Sequence, residues 1–340
     1  MRVPCRATGH IAAIDAGSNA IRLVIADATH GKQVRILKTM RWPVRLGHHA
    51  FLRRRLDGKM MSAATRALRE AEALFETFGV ERYRAVATSA AREARNSGTL
   101  VRKLLRETGI HLEIISSEEE ARLVRSAVLS ALGNSAKPRL ILDLGGGSLE
   151  LCLMRRAGVQ RTIAMPLGTV RLLESFRLNG AISEDHAEEL AHYAYMLLES
   201  YWPDRPPLLD GSAVACGGNA EALARLFPGP RCGGINTLNL PLLKDRLWSV
   251  LRLGVDARME EFHVRRDRAE VMGVAAIVLA TVGSWLRIRT FLAPGIGVRE
   301  GILRDLVAGS AAGHHGELFS TFRCSTAERG HLKTRASVRG

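Results

Sequence analysis

The sequence predicts an α/β protein in which two related halves face one cleft. Three observations predict it. Residues 140–153 read as an apolar strand ending on Asp143, a turn of three glycines (Gly145, Gly146, Gly147) and a returning strand. Residues 11–26 repeat that pattern around Asp15 and a Gly-Ser turn, the two Asp-x-Gly turns lying 128 positions apart. Beyond these hairpins, strands alternate with helical periodicity in both halves and glycine turns recur at strand ends. That is the pattern of a layered α/β architecture with a ligand between its domains. Three glycines directly after a buried strand weaken it. Either the turn requires positive φ angles or another group approaches its backbone closely. Successive N–H groups in such a turn can converge on an anion. A tight hairpin without a ligand is the plain alternative.

The elements follow in order. After the first hairpin, 33–38 is a candidate third strand, and 42–59, carrying Arg45, His48, His49, Arg53, Arg54 and Arg55, is a basic connection expected on the surface. Residues 60–78 are helical, with Ala64, Ala67, Leu68, Ala71, Leu74, Phe75 and Phe78 on one side. A strand over 83–89 runs into a helix through 105, and 111–115 is another strand. A helix through 132 then opens with Ser117 as N-cap and Glu120 three residues on, a capping box. The polar, turn-rich stretch 133–138 sets the expected boundary between an N-terminal domain, 1–134, and a C-terminal domain, 135–308. In the second half a strand at 160–165 precedes a helix opened by 166–172, and Ser183 caps a long helix to about 201. A third strand, 212–219, ends in Gly217 and Gly218. Helices at 221–227, 240–253 and 268–286, a strand at 289–293 and a closing helix after 295–301 complete it. Residues 309–340, rich in glycine, serine, histidine and arginine without periodicity, are expected to be a poorly ordered basic tail.

Composition narrows the class. With 340 residues the chain is long enough for two domains, and 46% hydrophobic with 24% charged residues is ordinary for a globular protein. The net charge of +15 favours anionic partners, among them phosphate polymers and nucleotides, although a solvated basic surface would show the same count. Five widely spaced cysteines without a Cys-x-x-Cys pair suggest neither a disulfide framework nor a zinc site. No apolar signal-peptide region opens the chain. The longest uncharged run, 271–286, falls short of the roughly 20 residues of a membrane span. It is expected to be a buried helix, and the protein cytoplasmic, with no membrane and no specific nucleic acid as partner. A homodimer is compatible with the sequence. The absence of Gly-x-x-x-x-Gly-Lys-Ser/Thr excludes a simple P-loop protein.

Cleaving a phosphoanhydride requires cations to neutralise its oxygens and a group to orient the attacking water. Asp15 and Asp143, each at a strand end beside a glycine turn, could hold Mg²⁺ directly or through its waters. Period-two alternation puts Glu150 and Ser148 on one face of the returning strand and Leu149, Leu151 and Leu153 on the other. Burying a carboxylate among aliphatic side chains is costly, which argues that Glu150 faces the cleft. Glu118, Glu119 and Glu120 have a structural explanation, because acidic residues at a helix start complement its dipole. Arg92 and Arg95 follow a turn where a guanidinium and a helix start could grip one phosphate, or could be ordinary surface charges. Arg299 and Glu300 could pair with each other. The eleven histidines show no metal-ligand spacing, and His48 and His49 are expected to be solvated.

Seven motifs then fall in order: Asp15-Ala-Gly-Ser-Asn-Ala-Ile-Arg-Leu23, Ala87-Thr-Ser-Ala-Ala-Arg-Glu-Ala-Arg-Asn96, Glu119-Glu-Ala-Arg-Leu123, Asp143-Leu-Gly-Gly-Gly-Ser-Leu-Glu-Leu151, Pro166-Leu-Gly-Thr-Val-Arg-Leu172, Cys216-Gly-Gly-Asn219 and Gly297-Val-Arg-Glu-Gly301. Together they resemble the exopolyphosphatase / guanosine pentaphosphate phosphatase (Ppx/GppA) family of the actin, Hsp70 and sugar-kinase superfamily. The resemblance covers roughly residues 10–308. It implies two actin-like (ribonuclease H-like) domains, each a mixed sheet flanked by helices, with the active site in the interdomain cleft and Mg²⁺ as cofactor. It implies that Glu120 activates water, while Asp143, Glu150 and Asp15 organise metal and water. Ser18, Asn19, Arg92, Gly145, Gly146, Gly147 and Ser148 match the phosphate contacts, with Gly217 and Gly218 of the third glycine turn counted among them. Further C-terminal helical domains of longer members are expected to be absent. The family usually has a hydroxyl residue where Ala20, Leu149 and Asn219 stand, and Leu149 directly follows the glycine turn. The leading expectation is Mg²⁺-dependent release of orthophosphate from the ends of inorganic polyphosphate. Removal of the 5′ γ-phosphate of guanosine pentaphosphate, giving the tetraphosphate, is the enzymatic alternative. A weakly active polyphosphate- or nucleotide-binding sensor is the alternative of another class.

Overall fold

The computed structural model describes residues 9–29, 34–133, 138–155, 158–204, 213–309 and 316–317. In the first half β1 (His10–Ala16), β2 (Ile21–Asp27) and β3 (Arg35–Trp42) form an antiparallel meander, and β4 (Val80–Ala87) and β5 (Leu112–Ile114) continue the sheet parallel to β1. In the second half β6 (Leu140–Leu144), β7 (Leu149–Arg155) and β8 (Gly158–Met165) form the same meander. Strand β9 (Ala213–Cys216) lies parallel to β6, β10 (Thr237–Asn239) closes the edge, and β11 (Thr290–Leu292) lies between them, parallel to β9. The spatial orders β3-β2-β1-β4-β5 and β8-β7-β6-β9-β11-β10 therefore repeat one plan, as the paired hairpins predict. A two-residue strand, β12 (Gly316–Glu317), adds to the outer side of β4.

Helices cover both sheets. The first half carries α1 (Ala50–Arg53), α2 (Gly58–Phe78), α3 (Ser89–Glu93), α4 (Ser97–Thr108) and α5 (Ser117–Leu132). The second carries α6 (Thr169–Ser175), α7 (Glu184–Tyr201), α8 (Gly218–Leu226), α9 (Leu240–Asp245), α10 (Leu247–Leu251), α11 (Val255–Phe262), α12 (Arg266–Trp285) and α13 (Val298–Ala308). Apolar residues face the sheet along α2, which Asp57 caps at its start and Gly79 ends in a left-handed turn (φ 58°). Ser183 caps α7, as its sequence predicts. Helix α12 is long and apolar enough to cross a membrane by composition alone, yet it is buried on nearly every side against α6, α7, α8, α9, α10 and α11.

Three cores result. One lies in each half, and a third joins Ile11, Ala13 and Val24 of the first sheet to Ile141, Cys152 and Val214 of the second. Helices α5 and α13 sit in this shared layer, α13 packing on α5 and β1.

Two local expectations are corrected. The stretch 42–59 is not a solvated connection, because Trp42, Val44, Leu46, Phe51 and Leu56 are buried in the first core. The N-cap of α5 is Ser116, whose Oγ accepts the Glu119 N–H at 3.2 Å, so the box proposed for Ser117 and Glu120 does not form. The linker residues 134–137 and most of the expected tail lie outside the described residues.

Candidate functional site

Where the ends of β1, β6 and β9 meet, a cavity of about 390 Å³ opens between the halves. The hairpins bring its two turns together. A Cβ on Gly146 would stand 2.9 Å from the Ser18 Cβ, and one on Gly147 would overlap Phe51 and Ser89. None of Gly145, Gly146 and Gly147 has a positive φ, so close approach, not unusual backbone angles, is why glycine stands there. The third turn is different. Gly217 has φ 86°, and a Cβ there would stand 3.0 Å from Asp143 Oδ1.

Four carboxylates converge behind these turns. Asp143 and Glu150 are directly opposed across β6 and β7, Asp15 ends β1, and Glu120 enters from the first turn of α5. All four are buried. Burial pushes Glu120 up to about 7, with Asp143 and Asp15 adding to the rise and Arg92 opposing it. Burial and the charge of Asp15 raise Asp143 to about 6, against the pull of Arg22. Asp15 is raised by burial, Arg22 and Arg299 opposing. Glu150 is raised well above the ordinary carboxylate range, by burial and then by Glu120 and Asp143, with Ser148 and Arg92 offsetting part of it. Both its oxygens are buried without a hydrogen-bond partner of normal geometry among the described residues.

That excess of buried negative charge suits a hard divalent cation such as Mg²⁺. The spacing adds a constraint. Among the described residues these carboxylates do not form a group of three whose ligand atoms lie within 4.8 Å of one another. A cation that keeps several of its waters, as Mg²⁺ does, fits such a site.

The three consecutive glutamates at the start of α5 have separate surroundings, because successive helical positions turn by about 100°. Glu118 is exposed near the helix start. Glu119 pairs with Arg84 and Arg122, which also binds Asp305 of α13. Glu120 alone reaches the cavity, where Arg92 Nη1 donates to its Oε2 at 3.0 Å and to the Ile115 carbonyl at 2.9 Å.

Of the residues singled out from the sequence, Asp15, Ser18, Asn19, Glu120, Asp143, Gly145, Gly146, Gly217 and Gly218 line the cavity. Glu150, Gly147, Ser148 and Arg92 do not line it. The Ser18 hydroxyl meets that of Ser89 at 2.9 Å. Asn19 donates to the Asp267 carbonyl at 3.0 Å and accepts from Arg45 at 3.1 Å. Leu149 is fully buried in the core of the second half, facing away from Glu150. Asn219 accepts from Arg268 and donates to Thr169 at 3.4 Å, so an amide links groups beside the third turn. Arg299 and Glu300 do pair, at 3.4 Å, and both line the cavity.

A basic cluster went unseen in the sequence: Arg22, Arg41, Arg265 and Arg268 line the same cavity. Burial lowers Arg268 to about 9, helped by the repulsion of Arg22 and Arg41. Arg22 shared the period-two face of Asp15's hairpin and was legible, since β1 and β2 pair Asp15 with Arg22. Arg41 and Arg268 arrive from elements that no local signal connects.

A family model for the Ppx/GppA phosphatase family matches residues 24–309. Exopolyphosphatase 1 of Mycobacterium tuberculosis is 29% identical over 308 residues, covering 86% of this chain and 87% of that protein. The Mycobacterium leprae protein of the same name is 28% identical over 308 residues, covering 86% and 88%. Among solved structures, an exopolyphosphatase from Cytophaga hutchinsonii shares the fold with a TM-score of 0.78 at 21% identity, over 90% of this chain and 100% of that one. An Aquifex aeolicus Ppx/GppA family member superposes with a TM-score of 0.69 at 25% identity, over 87% and 96%. The chain belongs to the Ppx/GppA phosphatase family, hydrolases that act on acid anhydrides.

Proposed function

We propose that the chain is an exopolyphosphatase, which hydrolyses the terminal phosphoanhydride bond of inorganic polyphosphate with Mg²⁺ bound. The observation that carries this reading is Glu120, a buried carboxylate raised to about 7 and aimed into a cavity walled by two apposed glycine turns. A base poised near the working pH is suited to taking a proton from water as it attacks phosphorus. Arg92 holds Glu120 in place through Nη1, and the same guanidinium has further N–H donors with which to bind a phosphate oxygen. Backbone N–H groups of Gly145, Gly146, Gly147, Ser148, Gly217 and Gly218, with the side chains of Ser18 and Asn19, are the proposed cradle for the terminal phosphate. Asp143, Asp15 and Glu150 are the proposed Mg²⁺ carboxylates. The bound ion would neutralise charge on the phosphate oxygens. Arg22, Arg41, Arg265 and Arg268 supply positive charge for the phosphates that follow, and the net charge of +15 draws the polyanion in. The relatives named as exopolyphosphatases favour polyphosphate over guanosine pentaphosphate, which the same groups could also hydrolyse.

Orthophosphate release from long-chain polyphosphate and from guanosine pentaphosphate, each with Mg²⁺, tests the reading. Release from polyphosphate at the greater kcat/KM is the expected result. Binding without release would make the chain a sensor and overturn it.

A further inference from the structure

His48 and His49 are not simply solvated. Among the described residues they and Glu174 form the one group of three whose metal-ligand atoms lie within 4.8 Å of one another. Consecutive side chains on extended backbone point apart. Here His49 takes left-handed angles (φ 55°), and the two imidazoles come to 3.8 Å between ring centroids. His48 Nδ1 stands 3.3 Å from Glu174 Oε1. Two donors about 2.1 Å from one tetrahedral ion are separated by about that distance. The carboxylate is already held in place, since the His49 N–H donates to both of its oxygens, at 2.9 and 3.0 Å. Such outer contacts orient a ligand toward its metal. The His48 side chain is 44% exposed, which leaves a route for entry and room for a water as fourth ligand.

We propose that His48, His49 and Glu174 form a site for a first-row divalent transition metal, Zn²⁺ by donor set, that clasps the two halves beside the phosphate turns. Imidazole donors select such ions over Mg²⁺, which prefers the all-oxygen carboxylates of the cavity. The ligands come from opposite sides. His48 and His49 follow Gly47, whose N–H donates to the Ser18 carbonyl at 2.9 Å. Glu174 lies on α6, whose start binds the other turn. Thr169 N and Val170 N donate to the Gly145 and Gly146 carbonyls at 3.0 and 2.8 Å, and Arg171 Nε donates to the Gly147 carbonyl at 2.7 Å. A metal here fixes the spacing of the two turns without entering the cavity.

Zinc affinity measured by competition with a chromogenic chelator, in millimolar Mg²⁺, tests the clasp, with X-ray absorption to identify the ligands. The full-length chain is expected to bind one Zn²⁺ with a nitrogen and oxygen shell at about 2.0–2.1 Å, and binding should raise the unfolding midpoint. His48→Ala with His49→Ala should weaken binding at least 100-fold and abolish the midpoint shift. Glu174→Gln, a gentler change, should weaken it about tenfold. No saturable binding, equal binding by the double variant, or a sulfur shell at about 2.3 Å would each overturn the proposal.

Discussion

Glu120 and Glu150 differ by their neighbours more than by their chemistry. Glu120 has Arg92 and faces the cavity, whereas Glu150 has two buried oxygens without normal hydrogen bonds among the described residues. Glu120→Gln keeps the shape and removes the base, so kcat on polyphosphate should fall about 10²–10⁴-fold, with affinity for the polymer changed only a few-fold. A variant retaining the full rate would end Glu120's candidacy as the base. The raised carboxylates also make a stability prediction. Burial holds Glu120 and Asp143 up at about 7 and about 6 in the folded chain, against ordinary values of 4.5 and 3.8. Between those values the folded chain binds more protons than the unfolded one, so stability falls as pH rises. Without metal, urea unfolding should show a loss from about pH 4.5 to about pH 7.5, each group contributing at most roughly 3 kcal/mol. Mg²⁺ should recover much of it at the upper end. Stability that rises over that interval would contradict the burial described. Glu150→Gln removes a carboxyl group that folding must either desolvate as a charge or protonate, and should stabilise the metal-free chain by about 1–3 kcal/mol at neutral pH while weakening its response to Mg²⁺.

The hairpins were the most legible elements, because strand alternation, the terminal Asp and the glycine turn all lie within 16 residues of sequence. Their mutual contact was not. That Gly146 abuts Ser18 follows from how the sheets pack, and no local pattern encodes it. The capping expectation at α5 failed by one position, as two adjacent serines offer the same hydroxyl and only packing decides which is the cap. The 42–59 stretch misled because its arginines masked the spaced Trp42, Val44, Leu46 and Phe51 that enter the core. The close contact of the turns gives a graded test. Gly147→Ala would drive a Cβ into Phe51 and Ser89, so it should cost about 1–3 kcal/mol in urea unfolding and most of the activity. Gly58→Ala, in the first turn of α2 with nothing within 4 Å of the new methyl, should be neutral or stabilising by up to about 1 kcal/mol. Equal effects at the two positions would show that the turns are not pressed together.

Across the whole molecule, the halves are joined at the cleft by charge and behind it by apolar packing. Arg41 pairs with Asp267 and Arg45 with Glu270, tying the strand β3 region to the start of α12. Replacing both arginines by glutamine should loosen this side and raise KM for polyphosphate about tenfold, the energy of one or two partly buried ion pairs. An unchanged KM would mean the cleft keeps its geometry without them. Behind it, α13 packs on β1 and α5, with Ile302, Leu303 and Leu306 in the shared apolar layer. The order of synthesis gives this packing a price in time. The first strands leave the ribosome some 290 residues before the helix that covers one of their faces. Until Val298–Ala308 emerges, Ile11, Ala13 and Val24 remain without that cover, so the nascent first half should be a client for chaperones throughout translation of the second.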